Sequence, residues 1–366
     1  MKKIIFPLLE ANKGGNILSA ISIIDKINYQ KFNHSILLIS SKGSKNDIAK
    51  FLKKKGNSNF NTININFDIN SLVFKIIFLV KLIYFFLSKN KIHIVHTNDG
   101  YLNFYFSIIK LIFGFKLILH IRNTDTSRRN FLSFFLAEKI ICISKFVKNK
   151  IPSFFLEKTI VLYNYVELFD KKIKIKKKHF SLIKKIKNKN VILSVSNIHK
   201  RKKPKNFLDI LEKLNQGQNK IFVGLMFFNS NQNEYNNIRN IIKKRKLEDN
   251  IFLFNNLTTH YWIPLIKRFN KKILLATSLN EPLGRNLIEA TMNNIFVVAN
   301  NSGAHKEIIN KINGILVNID NIENVKKCIE NIFNHKKLLK RKFLTKNFLN
   351  KFQDKKYFKK IENLYE

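Results

Sequence analysis

Glu281 and Glu289 lie in the stretch N-E-P-L-G-R-N-L-I-E-A, residues 280–290, directly after the apolar run Ile273 to Ala276. Pro282 disfavours helical backbone at Glu281, and Gly284 allows a sharp turn, so a helix is expected to start near Arg285. Glu281 then occupies a loop. Glu289 falls about one turn into the helix, on the same face as Arg285. A helix N-terminus offers free N–H groups to an anion, and here a carboxylate stands on each side of it. Such a loop suits a hydroxyl-rich ligand that carries phosphate. Residue types alone leave a plainer reading open, in which Glu281 is a solvated loop residue and Glu289 pairs with Arg285.

The elements that must position these groups read as strand, turn and helix, repeated along the chain. Lys2 to Leu9 is an apolar strand, Gly14-Gly15 a turn, and Ile17 to Ile27 a helical pattern. That order opens a doubly wound domain, in which ligands bind at the carboxyl ends of parallel strands. Further strands are expected at Ser35 to Ser40, Ile92 to His96 and Lys116 to Leu119. The last of these runs into His120-Ile121-Arg122, where a strand-end His beside an Arg can meet a sugar hydroxyl or an anion; a satisfied structural His is the alternative. His93 and His96 point to opposite faces of their strand and cannot share a metal. Val191 to Val195 starts a second set of elements, and the basic run His199 to Lys203 follows it in a strand-to-helix loop suited to a diphosphate.

E-P-L-G-x4-E-A, followed by S-G-A-x-x-E-I-I and N-G-I-L-V, resembles the donor-site signature of retaining GT-B glycosyltransferases, specifically glycosyltransferase family 4. The resemblance implies an α/β fold of two Rossmann-like doubly wound domains facing across a cleft. It also implies transfer of a sugar from a nucleotide-sugar donor to a hydroxyl of a glycan or lipid-linked acceptor, as in surface polysaccharide or lipopolysaccharide biosynthesis in bacteria. By this resemblance Glu281, His120 and Glu289 are the catalytic candidates: Glu281 holds hydroxyls of the transferred sugar, His120 touches that sugar, and Glu289 accepts from the ribose. The donor would be bound by Gly15, Asn16, Arg201, Lys202, Leu283, Gly284, Arg285 and Glu289, and the acceptor by Gly14 and Arg122. The loop Asn255 to Thr258 would pass the nucleobase. Ser196 and Asn197 replace the Gly and Arg usual in the family, so the cationic role falls to Arg201, Lys202 or Lys203. Asn164-Tyr165-Val166 likewise stands where N-G-V is usual.

With 366 residues, 45% of them hydrophobic, the chain can bury two domain cores. The expected division is 1–170 for the acceptor domain, 171–189 for a Lys-rich linker and 190–349 for the donor domain, with a C-terminal helix from about 350–366 crossing back. Two isolated cysteines argue for a reducing compartment and against a disulfide framework, and no metal-ligand spacing occurs; no cofactor or metal is expected. The apolar run after Met1 is cut short by Pro7, Glu10 and Lys13, unlike a signal peptide. Leu72 to Leu87 falls short of the ~20 residues a membrane span needs. It reads as a buried helix, with contact to a bilayer surface as its alternative.

The net charge of +43 attracts anionic surfaces. Its Lys, Asn and Ile bias fits an AT-rich genome, and the basic residues are spread along the chain, not gathered in a compact recognition motif with stacking aromatics. Specific nucleic-acid binding is therefore a weak alternative, as is a catalytically silent sugar- or partner-binding relative. The expected place is the cytoplasm, peripheral on the inner face of the membrane.

Overall fold

The structure, a computed structural model, describes residues 1–9, 15–28, 30–41, 49, 52, 60–65, 71–124, 128–167, 179–216, 222–229, 232–256, 259–339, 342–353 and 356–366. The chain divides into two compact units, Met1–Tyr165 with Asp354–Glu366, and Val166–Gln353.

The first unit holds a seven-stranded parallel sheet: β1 (Lys2–Leu9), β2 (Phe32–Ser41), β3 (Phe60–Ile65), β4 (Ile94–Thr97), β5 (Lys116–Ile121), β6 (Lys139–Cys142) and β7 (Thr159–Val161). Their order is β3-β2-β1-β4-β5-β6-β7. Pairing of β1 with β2 runs in register from Lys2 opposite Phe32 to Leu9 opposite Ile39. Apart from β3 at the sheet edge, the strands carry apolar runs because helices cover both faces. On one face, α1 (Gly15–Ile24) shares a core with Tyr357 and Ile361 of the C-terminal helix Tyr357–Asn363 and with Tyr365 just beyond it. The order in which strands are added to the sheet reverses across β1 and β4, and right-handed crossovers therefore put the connections from β3 onward on the other face. These are α2 (Leu72–Leu87), α3 (Gly100–Phe113) and α4 (Arg128–Leu136), which pack side by side. Asp99 caps α3 by accepting from the Tyr101 N–H, and Gly114 ends it in the left-handed region at φ 65°.

The second unit holds six parallel strands: β8 (Asn190–Val195), β9 (Phe222–Phe227), β10 (Ile251–Phe254), β11 (Lys272–Ala276), β12 (Phe296–Asn300) and β13 (Gly314–Val317). The order β10-β9-β8-β11-β12-β13 places its reversal between β8 and β11. Ligands bind open α/β sheets at that reversal, beyond the strand carboxyl ends. Its core joins Phe207, Leu211 and Leu214 to Ile329 and Phe333.

The structure differs from the sequence expectations in two places. Phe180–Ile186, within the stretch read as linker, is a helix of the second unit, with Ile186 fully buried and His179 Nε2 2.6 Å from the Tyr261 hydroxyl. The Lys-rich composition hid an apolar stripe of Phe180, Ile183 and Ile186. Second, α2 is not a buried helix: one of its two apolar faces points to solvent.

Candidate functional site

The switch point of the second sheet is where two loops meet. One follows β8 and turns through a 3-10 segment, Lys200–Lys202, before a helix that begins at Pro204. Proline suits a first helical position because its missing N–H would have no intrahelical partner there. The other loop follows β11 and ends at Gly284, whose φ of 84° lets the chain turn into the helix Arg285–Met292. Few side chains tolerate that backbone conformation, and a Cβ at Gly284 would also press on the His305 ring at 3.2 Å.

Backbone and side-chain bonds tie the two loops together. The Leu279 N–H donates to the Arg201 carbonyl at 2.9 Å, and the Thr277 hydroxyl donates to the Lys202 carbonyl at 2.6 Å. Arg201 Nη1 reaches the Asn280 carbonyl at 3.2 Å, and the Asn286 amide donates to Val195 at the end of β8 at 2.8 Å. Lys202 Nζ consequently lies 2.5 Å from Glu281 Oε2, with Arg201 Nη1 at 3.8 Å from the same oxygen. The Lys202 and Glu281 side chains are 18% and 13% exposed. Burial is the largest single influence on the Glu281 carboxyl and pushes its pKa up. The combined pull of Lys202, Arg201 and the more distant His305 outweighs it, so the group lies below its ordinary value and is a carboxylate at neutral pH.

A third loop, after β12, holds Glu281 from behind. The Ala304 N–H donates to the Glu281 carbonyl at 2.9 Å, and the Asn280 N–H donates to Ser302 Oγ at 2.9 Å. Gly303, at φ 62°, is pressed so closely that a Cβ there would lie 2.5 Å from the Glu281 nitrogen and 2.6 Å from its carbonyl oxygen. Glu289 faces inward on its helix, its side chain 9% exposed, and accepts from Arg285 Nε at 2.9 Å. The plainer pairing of these two residues is thus present, but in a buried setting. Leu283 is buried beside them.

His305 belongs to this site although sequence reasoning did not assign it. It is fully buried, its Nδ1 donates to the Asn300 carbonyl at 2.9 Å, and its Nε2 has no hydrogen-bond partner. Burial, the leading cause, keeps the ring neutral by lowering its pKa. Asn286, which anchors the helix to β8, was also missed. Neither has a local signal, since what each touches is distant in sequence.

In the first unit, His120 and Arg122 stand together at the end of β5. Arg122 is buried and donates to Asn98 Oδ1 at 2.8 and 3.0 Å, to Asn164 Oδ1 at 2.6 Å and, through Nη2, to His120 Nδ1 at 3.3 Å. That last bond places the His120 proton on Nε2, an atom closed to solvent and without a partner. The His120 ring stacks on His96 at 5.5 Å, and His96 Nδ1 lies 2.6 Å from the Tyr365 hydroxyl. Burial first, and Arg122 second, lower the pKa of His96 to about 3 and that of His120 well below 6.5. Of the glycine loop after β1, Gly15 begins α1. Gly14, the Asn16 side chain and two residues of the expected nucleobase loop, 257 and 258, lie outside the described residues. Among the described residues no group of three or more His, Cys, Asp or Glu is placed to hold a metal ion.

Residues 175–347 match the family model described as glycosyl transferases group 1. The second unit is a glycosyl transferases group 1 domain, and the chain is a glycosyltransferase. A search of curated protein sequences gives no match. Among solved structures, the glycosyltransferase is similar to Anabaena HepE in complex with UDP and glucose, with a TM-score of 0.79 at 17% identity, covering 100% of this chain and 99% of that one. It is also similar to sucrose-phosphate synthase from Thermosynechococcus elongatus (TM-score 0.76, 14% identity, 100% and 98% covered). A glycosyltransferase from Rickettsia africae gives a TM-score of 0.75 at 21% identity, with 100% and 97% covered. At these identities the likeness establishes the fold, which is GT-B.

Proposed function

We propose that this glycosyltransferase moves a sugar from a nucleotide-sugar donor to a hydroxyl of a glycan or lipid-linked acceptor, with retention at the anomeric carbon, in the building of a surface polysaccharide or lipopolysaccharide. The observation that carries this reading is the Lys202–Glu281 pair, straddling the sheet reversal where an anionic ligand is expected. A donor diphosphate takes Lys202 and Arg201 as its cations. Glu281, released from Lys202, accepts from hydroxyls of the transferred sugar. Glu289 accepts from the ribose, and the turn at Gly284 brings backbone N–H groups to the phosphate.

The transition state is oxocarbenium-like, with negative charge growing on the departing diphosphate, and preorganised cations lower its energy. Arg201 and Lys202 are positioned by the carbonyls and hydroxyl that link the two loops, so little reorganisation is required of them. His120 is proposed to donate from Nε2 to the sugar, a role that requires its buried ring to be uncovered. The solved HepE structures hold UDP, UDP with glucose, or UDP-glucose, which makes uridine nucleotides the first donors to try.

The test is a melting-temperature screen of nucleoside diphosphates and nucleotide sugars against short oligonucleotides, followed by transfer assays. Stabilisation by a nucleoside diphosphate with none by oligonucleotides is expected, and Glu289→Gln should abolish turnover while the fold is kept. An unchanged rate in that variant would leave a silent binding relative as the better reading.

A further inference from the structure

We propose that the helical layer α2, α3 and α4 on one face of the first sheet is a docking surface for an anionic lipid bilayer. This inference does not rest on the donor reading above. Of the seventeen large apolar side chains exposed among the described residues, thirteen lie in these helices or in the adjoining turn Ser153–Lys158. Scattered exposed apolar residues need no explanation; a concentration on one layer does. On α2, Leu72 is 69% exposed, Val73 62%, Ile76 54%, Val80 59%, Tyr84 74% and Leu87 70%. At about 100° per residue these six span roughly 120° of the helix surface. The opposite side carries Phe78, Leu82, Phe85 and Phe86 into the core, so the outward face is a second apolar stripe, not the edge of the first.

Charge selects the occupant. From Ser71 to Thr97 the chain has no Asp or Glu but carries Lys75, Lys81, Lys89 and Lys91. Lys81 borders the apolar arc, and Lys89 folds back over the Phe85 ring at 5.7 Å. Lysines at the rim of an apolar stripe, with a tyrosine in it, are suited to the headgroup boundary of an acidic membrane. A second copy would bring another +43 against this one, and nucleic acid offers no aliphatic surface for Val73, Ile76 and Val80 to enter. No described helix is long and apolar enough to cross a membrane, so the contact would lie along the surface. Because α2 runs antiparallel to the strands, its Leu72 end is at the strand carboxyl ends, the side on which Arg122 stands.

The experiment uses the full chain with phosphatidylcholine vesicles, with and without phosphatidylglycerol. Cosedimentation should require phosphatidylglycerol and weaken with salt. The triple variant Val73→Ser, Ile76→Ser, Val80→Ser should partition roughly tenfold or more weakly with an unchanged circular dichroism spectrum. An environment-sensitive dye on Tyr84→Cys, in a Cys328→Ser background, should shift to the blue when phosphatidylglycerol vesicles are added, and this readout decides alone if the triple variant does not fold. Wild-type partition by a folded triple variant overturns the proposal. So does equal binding to both vesicle types, or a dye that stays in water while the protein is bound. A concentration-dependent dye shift without vesicles would assign the face to a second copy and likewise overturn it.

Discussion

Each unit buries a polar cluster near the carboxyl ends of its strands, and the two are built on opposite terms. In the second unit, full charges of opposite sign, Lys202 and Glu281, sit on separate loops held together by backbone bonds, each side chain still partly open to solvent. In the first, the guanidinium of Arg122 is met by amide oxygens and a neutral imidazole, in a setting closed to water. A charged pair that solvent can reach can exchange partners with an incoming ligand at modest cost. A closed network cannot, because each group it releases is left unsatisfied in a low dielectric. The first arrangement suits ligand exchange and the second suits holding β4, β5 and the C-terminal helix in place.

The sharpest way to break this contrast is Arg122→Met. It leaves Asn98 Oδ1, Asn164 Oδ1 and His120 Nδ1 without the donor they now share. At about 1–3 kcal/mol for each stranded buried group, a loss of roughly 3–5 kcal/mol in unfolding free energy is expected by urea titration. A variant as stable as wild type would mean the network is dispensable, and would return Arg122 to the acceptor role expected of it.

Gly303→Ala probes the other side. Its Cβ would meet backbone, 2.5 Å from the Glu281 nitrogen, and backbone cannot swing aside as a flexible side chain can. Glu281 must move, and a displacement of about 1 Å in a positioning group costs on the order of 10²-fold in rate. Transfer activity should fall by that factor with less effect on the melting temperature than Arg122→Met. Activity within a few-fold of wild type would show that the exact place of Glu281 is unimportant.

Much of the second cluster was legible in sequence because its determinants are local. Pro282 and Gly284 fix where the loop ends, and the helix begins at Arg285 as their chemistry requires. The apolar strands β1, β8 and β11 could be read for the same reason, each being a short run with polar flanks. Strand β3, F-N-T-I-N-I, has no such run, because at the sheet edge it needs less apolar surface. His305 and Asn286 could not be found, since their partners are Asn300 and Val195 and only the fold brings them near. The exposed stripe of α2 escaped for another reason. A helix apolar all round does not say which side is covered.

Acid should separate the clusters. His96 and His120 have folded-state pKa values below 6.5, so the unfolded chain binds more protons as pH falls beneath 6.5, and the stability their neutral forms confer is lost progressively down to the folded values. Glu281 is depressed relative to 4.5, so what its pair contributes is present above that value and is lost only as pH falls through the lower one. Its neighbour His305 adds one histidine of the first kind to the second unit. The slope approaches about 1.4 kcal/mol per pH unit for each such histidine. Trp262, the only tryptophan, is buried in the second unit and reports on it separately. Between pH 7 and 5, denaturant midpoints from far-ultraviolet dichroism should fall further than those from tryptophan fluorescence. Coincident midpoints at every pH would show that the units unfold together or that the histidines are not buried as described.

Tyr365→Phe makes the smallest change and isolates one bond. The hydroxyl lies 2.6 Å from His96 Nδ1, and burial raises its pKa well above 10, so it is a neutral phenol that gains nothing by ionising. Removing it keeps the ring packed against Phe6 and Phe32 and strands only the imidazole nitrogen. The expected cost is about 1 kcal/mol, seen as a fall of a few degrees in the melting temperature, with nucleoside-diphosphate stabilisation unchanged. If that stabilisation falls along with the melting temperature, the closed network of the first unit helps to bind the nucleotide part of the donor, and the division of labour between the two clusters is wrong.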